Sequence, residues 1–173
     1  MQLWRVPVGG DTLLILGVDP GTAKTGYGIV SNDGSRPVFI AGGVLRTLAK
    51  QEHSAKLLTI YNALDEIIKQ HRPTEMVVES LFHSVNSQSL IKLGQVRGVI
   101  LLLGASHGMN IFEYSPLEIK QGITGYGHAD KAQVMYMIQK ILSISSIKSS
   151  DQSDALAMAT YHAHSHVPQR ATK

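Results

Sequence analysis

The chain has 173 residues, 43% of them hydrophobic, and sets 16 basic against 13 acidic side chains for a net charge of +3. That length and apolar content suit a single domain with a full core. The absence of cysteine excludes disulfides and thiolate metal sites and suits the cytoplasm, while the short apolar stretch 99–103 is too brief to predict a membrane span.

Residues 1–12 lack the apolar core of a secretory signal and read as an N-terminal extension before a domain over 13–165. Leu13-Leu14-Ile15-Leu16-Gly17-Val18 reads as a fully buried strand that delivers Asp19 into Pro20-Gly21, a turn-forming pair. A second strand is predicted over 25–31, and the Asn32-Asp33-Gly34 turn leads to a third over 36–46, giving a hairpin meander. Leu57, Leu58, Tyr61, Leu64, Ile67 and Ile68 recur at helical spacing, which predicts a helix over 52–70 that Arg72-Pro73 ends. The apolar run Met76-Val77-Val78 makes a strand ending on Glu79. A helix over 86–106, a strand over 109–114 and a short helical turn opened by Pro116 follow. Helices over 128–143 and 151–164, separated by a Ser-rich link, lead to a tail at 166–173. The order βββ-α-β-α-β-α-α predicts an α/β fold, a mixed sheet flanked by helices.

Four acids stand out against this frame. Asp19 and Glu79 each end a buried strand, a position that unpaired carboxylates avoid. Asp151 and Asp154 lie three residues apart at a helix start and share one face. Alone, Asp151 reads equally well as a helix cap, Asp19 as a turn residue and Glu79 as a strand-end acid. Together they form a carboxylate cluster whose members repel one another and hold protons tightly until a cation neutralises them. Oxygen-only ligation suits a hard ion such as Mg²⁺, with Mn²⁺ as a substitute. A pair of such ions about 4 Å apart activates water and stabilises the leaving oxygen in phosphodiester hydrolysis. Asp19, on a rigid strand, is the choice for the shared ligand. Committing four acids to one site leaves 16 basic against nine acidic residues, a surplus of +7 that favours a polyanionic partner.

The ordered motifs resemble the RuvC family of Holliday-junction resolvases. They begin with Leu16-Gly17-Val18-Asp19-Pro20-Gly21-Thr22 and Thr25-Gly26-Tyr27-Gly28, and continue in Val78-Glu79 and Lys92-Leu93-Gly94-Gln95-Val96-Arg97-Gly98. Phe112-Glu113-Tyr114, Ile119-Lys120-Gln121, Gly125-Tyr126-Gly127, Ala129-Asp130-Lys131 and Asp151-Gln152-Ser153-Asp154 complete the set. The resemblance implies a ribonuclease H-like fold, a homodimer, a branch-migration motor as partner, and divalent-metal hydrolysis of four-way DNA junctions in recombination and repair. Carried over by position, Asp19, Glu79, Asp151 and Asp154 are its metal-binding, catalytic carboxylates. Lys120 and Lys131 become candidates for phosphate contact, with solvated surface lysine as the alternative. Phe82 becomes a base-stacking residue, unless it packs beneath its loop. Arg97 either meets phosphate or pairs with an acid along its helix. His162, His164 and His166 read as an exposed chain end rather than as ligands. The extension over 1–12 and Leu90-Ile91, bulkier than the usual Ala-Leu, depart from the family pattern without touching the acids.

Overall fold

A computed structural model describes residues 12–80 and 87–166. Three antiparallel strands come first: β1 (Leu13–Asp19), β2 (Lys24–Asn32) and β3 (Val38–Arg46). Helix α1 (His53–His71) crosses to β4 (Glu75–Glu79), which lies parallel to β1, and α2 (Ser87–Ser106) crosses to β5 (Asn110–Tyr114), parallel to β4. The sheet order is therefore β3-β2-β1-β4-β5. The described residues close with three helices, α3 (Pro116–Thr124), α4 (Lys131–Leu142) and α5 (Ser150–Ser165). Expected order and observed order differ at α3, where the turn expected after Pro116 is a full nine-residue helix. Its first turn is fixed by a capping box, Ser115 and Glu118 each bonding the other's backbone N–H, with Pro116 opening the helix.

The sheet separates two cores. Ile15 of β1 and Val77 of β4 pack with α3, α4 and α5 on one face; Leu16, Val18, Met76 and Val78 pack with α1 and α2 on the other. Side chains alternate along a strand with period two. Asp19 thus shares the face of Ile15, and Glu79 the face of Val77, so both acids point toward the α5 layer. Parallel register pairs Val18 with Val78, which brings Asp19 and Glu79 side by side at the next step.

Helix α5 sits unusually close to the strands because glycines lie beneath it. A Cβ on Gly17 would collide with the Ala155 carbonyl oxygen, and one on Gly26 with that of Asp151. At Gly28 it would come within 2.6 Å of Leu156 Cδ2. Helix α2 is apolar over more of its length than the stretch 99–103 indicated: a window within Gln88–Ser106 has a mean hydropathy of 1.3, and the helix has the length to cross a bilayer. Val96, Ile100 and Leu103 nevertheless bury themselves against the sheet, while Ile91 and Leu102 stay 62% and 65% exposed. Of the apolar residues Leu90, Leu93, Val96, Ile100 and Leu101, Val96 and Ile100 are fully committed to the core.

Candidate active site

Where β1 and β4 end, a cavity of about 270 Å³ opens, lined by Asp19, Glu79, Lys120, Lys131 and Asp154 and floored by Ile119, Val134, Ala157 and Met158. Each wall has a local cause. The turn after Asp19 is held by buried Thr25, whose hydroxyl donates to the Gly21 carbonyl at 2.9 Å. Thr47, the residue after β3, clamps the same turn, its hydroxyl donating to the Thr22 carbonyl at 2.8 Å. Asp154 is brought in by the glycine seat beneath α5. Lys131 opens α4 because Asp130 caps that helix in a capping box with Gln133. A cation at a helix N-terminus opposes the macrodipole. Lys131 is held there by Asp154, its Nζ lying 2.8 Å from Oδ2.

Electrostatics single out Asp19. Burial, then the charges of Asp154, Glu79 and Asp151, push its carboxyl up to about 7, with Lys131 opposing them. Burial and the Asp154 charge raise Glu79 as well, against Lys131 and Lys120. Asp151 does not line the cavity. It stands in the first turn of α5, but the cap is Ser149, whose hydroxyl accepts from the Gln152 N–H at 3.1 Å. The capping alternative for Asp151 is therefore set aside.

Among the described residues, no three acidic or histidine side chains stand close enough to chelate one ion. The donors nevertheless suit a hard divalent cation: all are carboxylates, their mutual repulsion already favours protons, and the Lys131 ammonium neutralises Asp154.

Other candidates fall elsewhere. Arg97 pairs with Glu113 on β5, rather than with an acid along its own helix, and its Nε–H donates to the Glu79 carbonyl at 3.3 Å. It thus braces the backbone of a strand that carries an acid. Phe82 lies outside the described residues. His162 is no exposed tail residue: it is fully buried, because the helical period places it on the same side of α5 as Ala155 and Ala159. Its Nε2 lies 2.6 Å from Glu75 and its Nδ1 2.7 Å from the Tyr114 hydroxyl. A carboxylate only accepts, so Nε2–H donates to Glu75 and the tyrosine O–H donates to Nδ1. Sequence reasoning missed this chain and the glycine seat. The spacing of Gly26, Gly28 and Gly17 was the available signal, but only a helix above them gives it meaning.

A five-stranded mixed sheet in this order, flanked by helices, is the ribonuclease H-like fold. The family described as crossover junction endodeoxyribonuclease RuvC matches residues 15–162. The enzyme of that name from Pelotomaculum thermopropionicum is 43% identical over 162 residues, covering 93% of this chain and 99% of the relative. Thermus thermophilus RuvC in complex with Holliday junction substrate superposes with a TM-score of 0.82 at 29% identity, over 87% of this chain and 93% of that one. A yeast mitochondrial Holliday junction resolvase shares the fold at a TM-score of 0.64 and 12% identity, over 89% and 79% of the two chains. The chain belongs to the RuvC family of crossover junction endodeoxyribonucleases, nucleases that resolve Holliday junctions. Nucleases of this fold depend on a divalent metal.

Proposed function

We propose that this chain resolves four-way DNA junctions by hydrolysing one phosphodiester in each of two symmetric strands, with Mg²⁺ held by Asp19, Glu79, Asp151 and Asp154. The observation that carries this reading is the single cavity where Asp19, Glu79 and Asp154 meet Lys120 and Lys131. When bound, two divalent ions would activate the attacking water and stabilise the leaving 3′-oxygen. The chain's own groups supply the rest. Asp19 and Glu79 are fixed by neighbouring strands, so their separation is set by the sheet rather than by flexible loops. Lys120 and Lys131 offer ammonium groups to phosphate oxygens at the mouth of the cavity. For Lys131 this requires sharing or releasing Asp154. Phe82 is assigned the base-stacking role and Arg97 a supporting role at the DNA-facing edge.

Symmetric incision calls for a two-fold dimer. Ile91, Gly94, Gly98 and Leu102 fall at spacings of three and four residues, which makes one stripe along the outer side of α2. A Cβ at Gly94 or Gly98 would meet nothing within 4 Å among the described residues. Helix-interior glycine costs about 1 kcal/mol relative to alanine, so two such residues that meet no side chain among the described residues support a second copy packed against them. The reading also assigns the protein to the cytoplasm, acting with a branch-migration motor, and assigns the nuclease domain to residues 13–165.

The test is incubation of a labelled four-way junction, a linear duplex and an RNA–DNA hybrid with Mg²⁺ or EDTA. Paired symmetric nicks confined to the junction and abolished by EDTA are expected. Cleavage that survives EDTA, or that favours the hybrid, overturns the proposal.

A further inference from the structure

Lys24 and Arg46 stand directly opposite one another in the antiparallel ladder between β2 and β3, and both are exposed. Like charges in that arrangement repel and weaken a sheet. None of the ion pairs among the described residues involves either side chain. Charges on an outer strand guard against edge-to-edge association, which accounts for Arg46 on β3. It does not account for Lys24, since β2 is an interior strand.

Their place in the sheet suggests the use. Gly26 pairs with Asp19 and lies under the Asp151 backbone. Lys24, two residues earlier on the same strand, shares that face, as does its cross-strand partner Arg46. Lys120 lines the acidic cavity near Glu79 on the β4 side, while Lys24 and Arg46 stand outside its lining, farther along the β2–β3 side of the same sheet face. Two residues of strand span about 7 Å, so these cations lie beyond the reacting centre rather than at it.

We propose that Lys24 and Arg46 form a second phosphate grip, which binds the DNA backbone next to the scissile phosphate on the flank opposite Lys120. A polyanion crossing this edge removes the repulsion that the bare fold leaves uncompensated. The grip sets the path of the cleaved strand across the acids, and it rests on the reading of the cavity as a junction-cleaving centre.

The experiment measures binding of a synthetic four-way junction, without divalent metal, over a range of salt concentrations. For K24A/R46A, affinity is expected to fall roughly tenfold and the slope of log K against log salt to shrink by about 2. The thermal midpoint should hold or rise, and K24R/R46K should restore the slope. An unchanged slope, or a lower midpoint with unchanged affinity, overturns the grip and leaves the pair a structural role. A second measurement replaces single phosphates flanking the scissile one with neutral methylphosphonates. In the wild type, substitution on either flank should weaken binding; in K24A/R46A the penalty should vanish on one flank only. Persistence of both penalties overturns the proposal. Wild-type protein that fails to cleave the junction in Mg²⁺ refutes the nuclease reading. Wild-type cleavage with wild-type-like binding by the double variant refutes the grip alone.

Discussion

Among the described residues, Asp19 carries the largest conflict between fold and charge. Burial and three neighbouring carboxylates hold its proton up to about 7, against 3.8 for an ordinary aspartate. The metal-free folded state therefore binds more protons than the unfolded chain across that window. Stability contributed by this proton is present at low pH and is lost as pH rises from about 4 to about 7. One pKa unit corresponds to about 1.4 kcal/mol, so relief of the conflict, a rise from 3.8 to about 7, is worth about 4 kcal/mol. Asp19→Asn should raise the thermal midpoint in EDTA at pH 7.5 and flatten its dependence on pH between 4 and 7. The same variant should lose junction cleavage while keeping junction binding, because affinity comes from phosphate contacts and chemistry from the carboxylate. A clear fall in the midpoint, together with lost binding, assigns Asp19 to folding instead.

Among the elements, α5 matters most, because it carries two of the four acids and is held at both ends. Near its N-terminus the glycine seat sets its height above the sheet. Gly26→Ala forces the Asp151 carbonyl away from β2. Overpacking of this kind costs about 1–3 kcal/mol, and a displacement of about 1 Å in a catalytic group can lower the rate roughly 100-fold. Chemical denaturation should show the modest loss, while single-turnover cleavage should show the much larger one. Equal, small effects on both would mean that α5 tolerates the shift. Near the other end of the helix, His162 ties α5 to β4 and β5 through Glu75 and Tyr114. Burial lowers its pKa, so the ring is neutral when folded. Protonation of the unfolded chain therefore withdraws stability as pH falls below the ordinary histidine value of 6.5. His162→Ala leaves a buried carboxylate without its donor and should cost about 3 kcal/mol, measurable as a lower urea midpoint at pH 7.5. Full retention of stability would make the polar chain dispensable.

For the whole molecule, the exposed stripe on α2 is a feature that the described residues of a single copy leave uncovered. Ile91 is 62% exposed on a helix whose opposite side is fully buried in the core. Ile91→Lys places a charge on that stripe without entering the monomer's interior. Sedimentation should show a monomer where the wild type shows a dimer, with the unfolding midpoint of the dissociated chain preserved. Junction cleavage should change from paired incisions to single nicks. Wild-type protein that sediments as a monomer at micromolar concentration, with full paired incision, rules the arrangement out.

By itself the sequence determined the strand and helix order apart from α3 and the acids worth examining, while its resemblance to a known family implied the ribonuclease H-like class. Those signals are local: apolar runs ended by carboxylates at 19 and 79, and an acid pair opening a helix at 151 and 154. Which way the strand acids face was not legible, because β1 and β4 are apolar on both sides and show no alternation. Only the two packed cores, one on each face, decide that Asp19 and Glu79 turn toward α5. The meaning of Gly17, Gly26 and Gly28 likewise waited on the helix above them, and that of His162 on Glu75, 87 residues away in the chain. Long-range packing also divided α2 between sheet and solvent, since an all-apolar helix does not reveal which side the core claims.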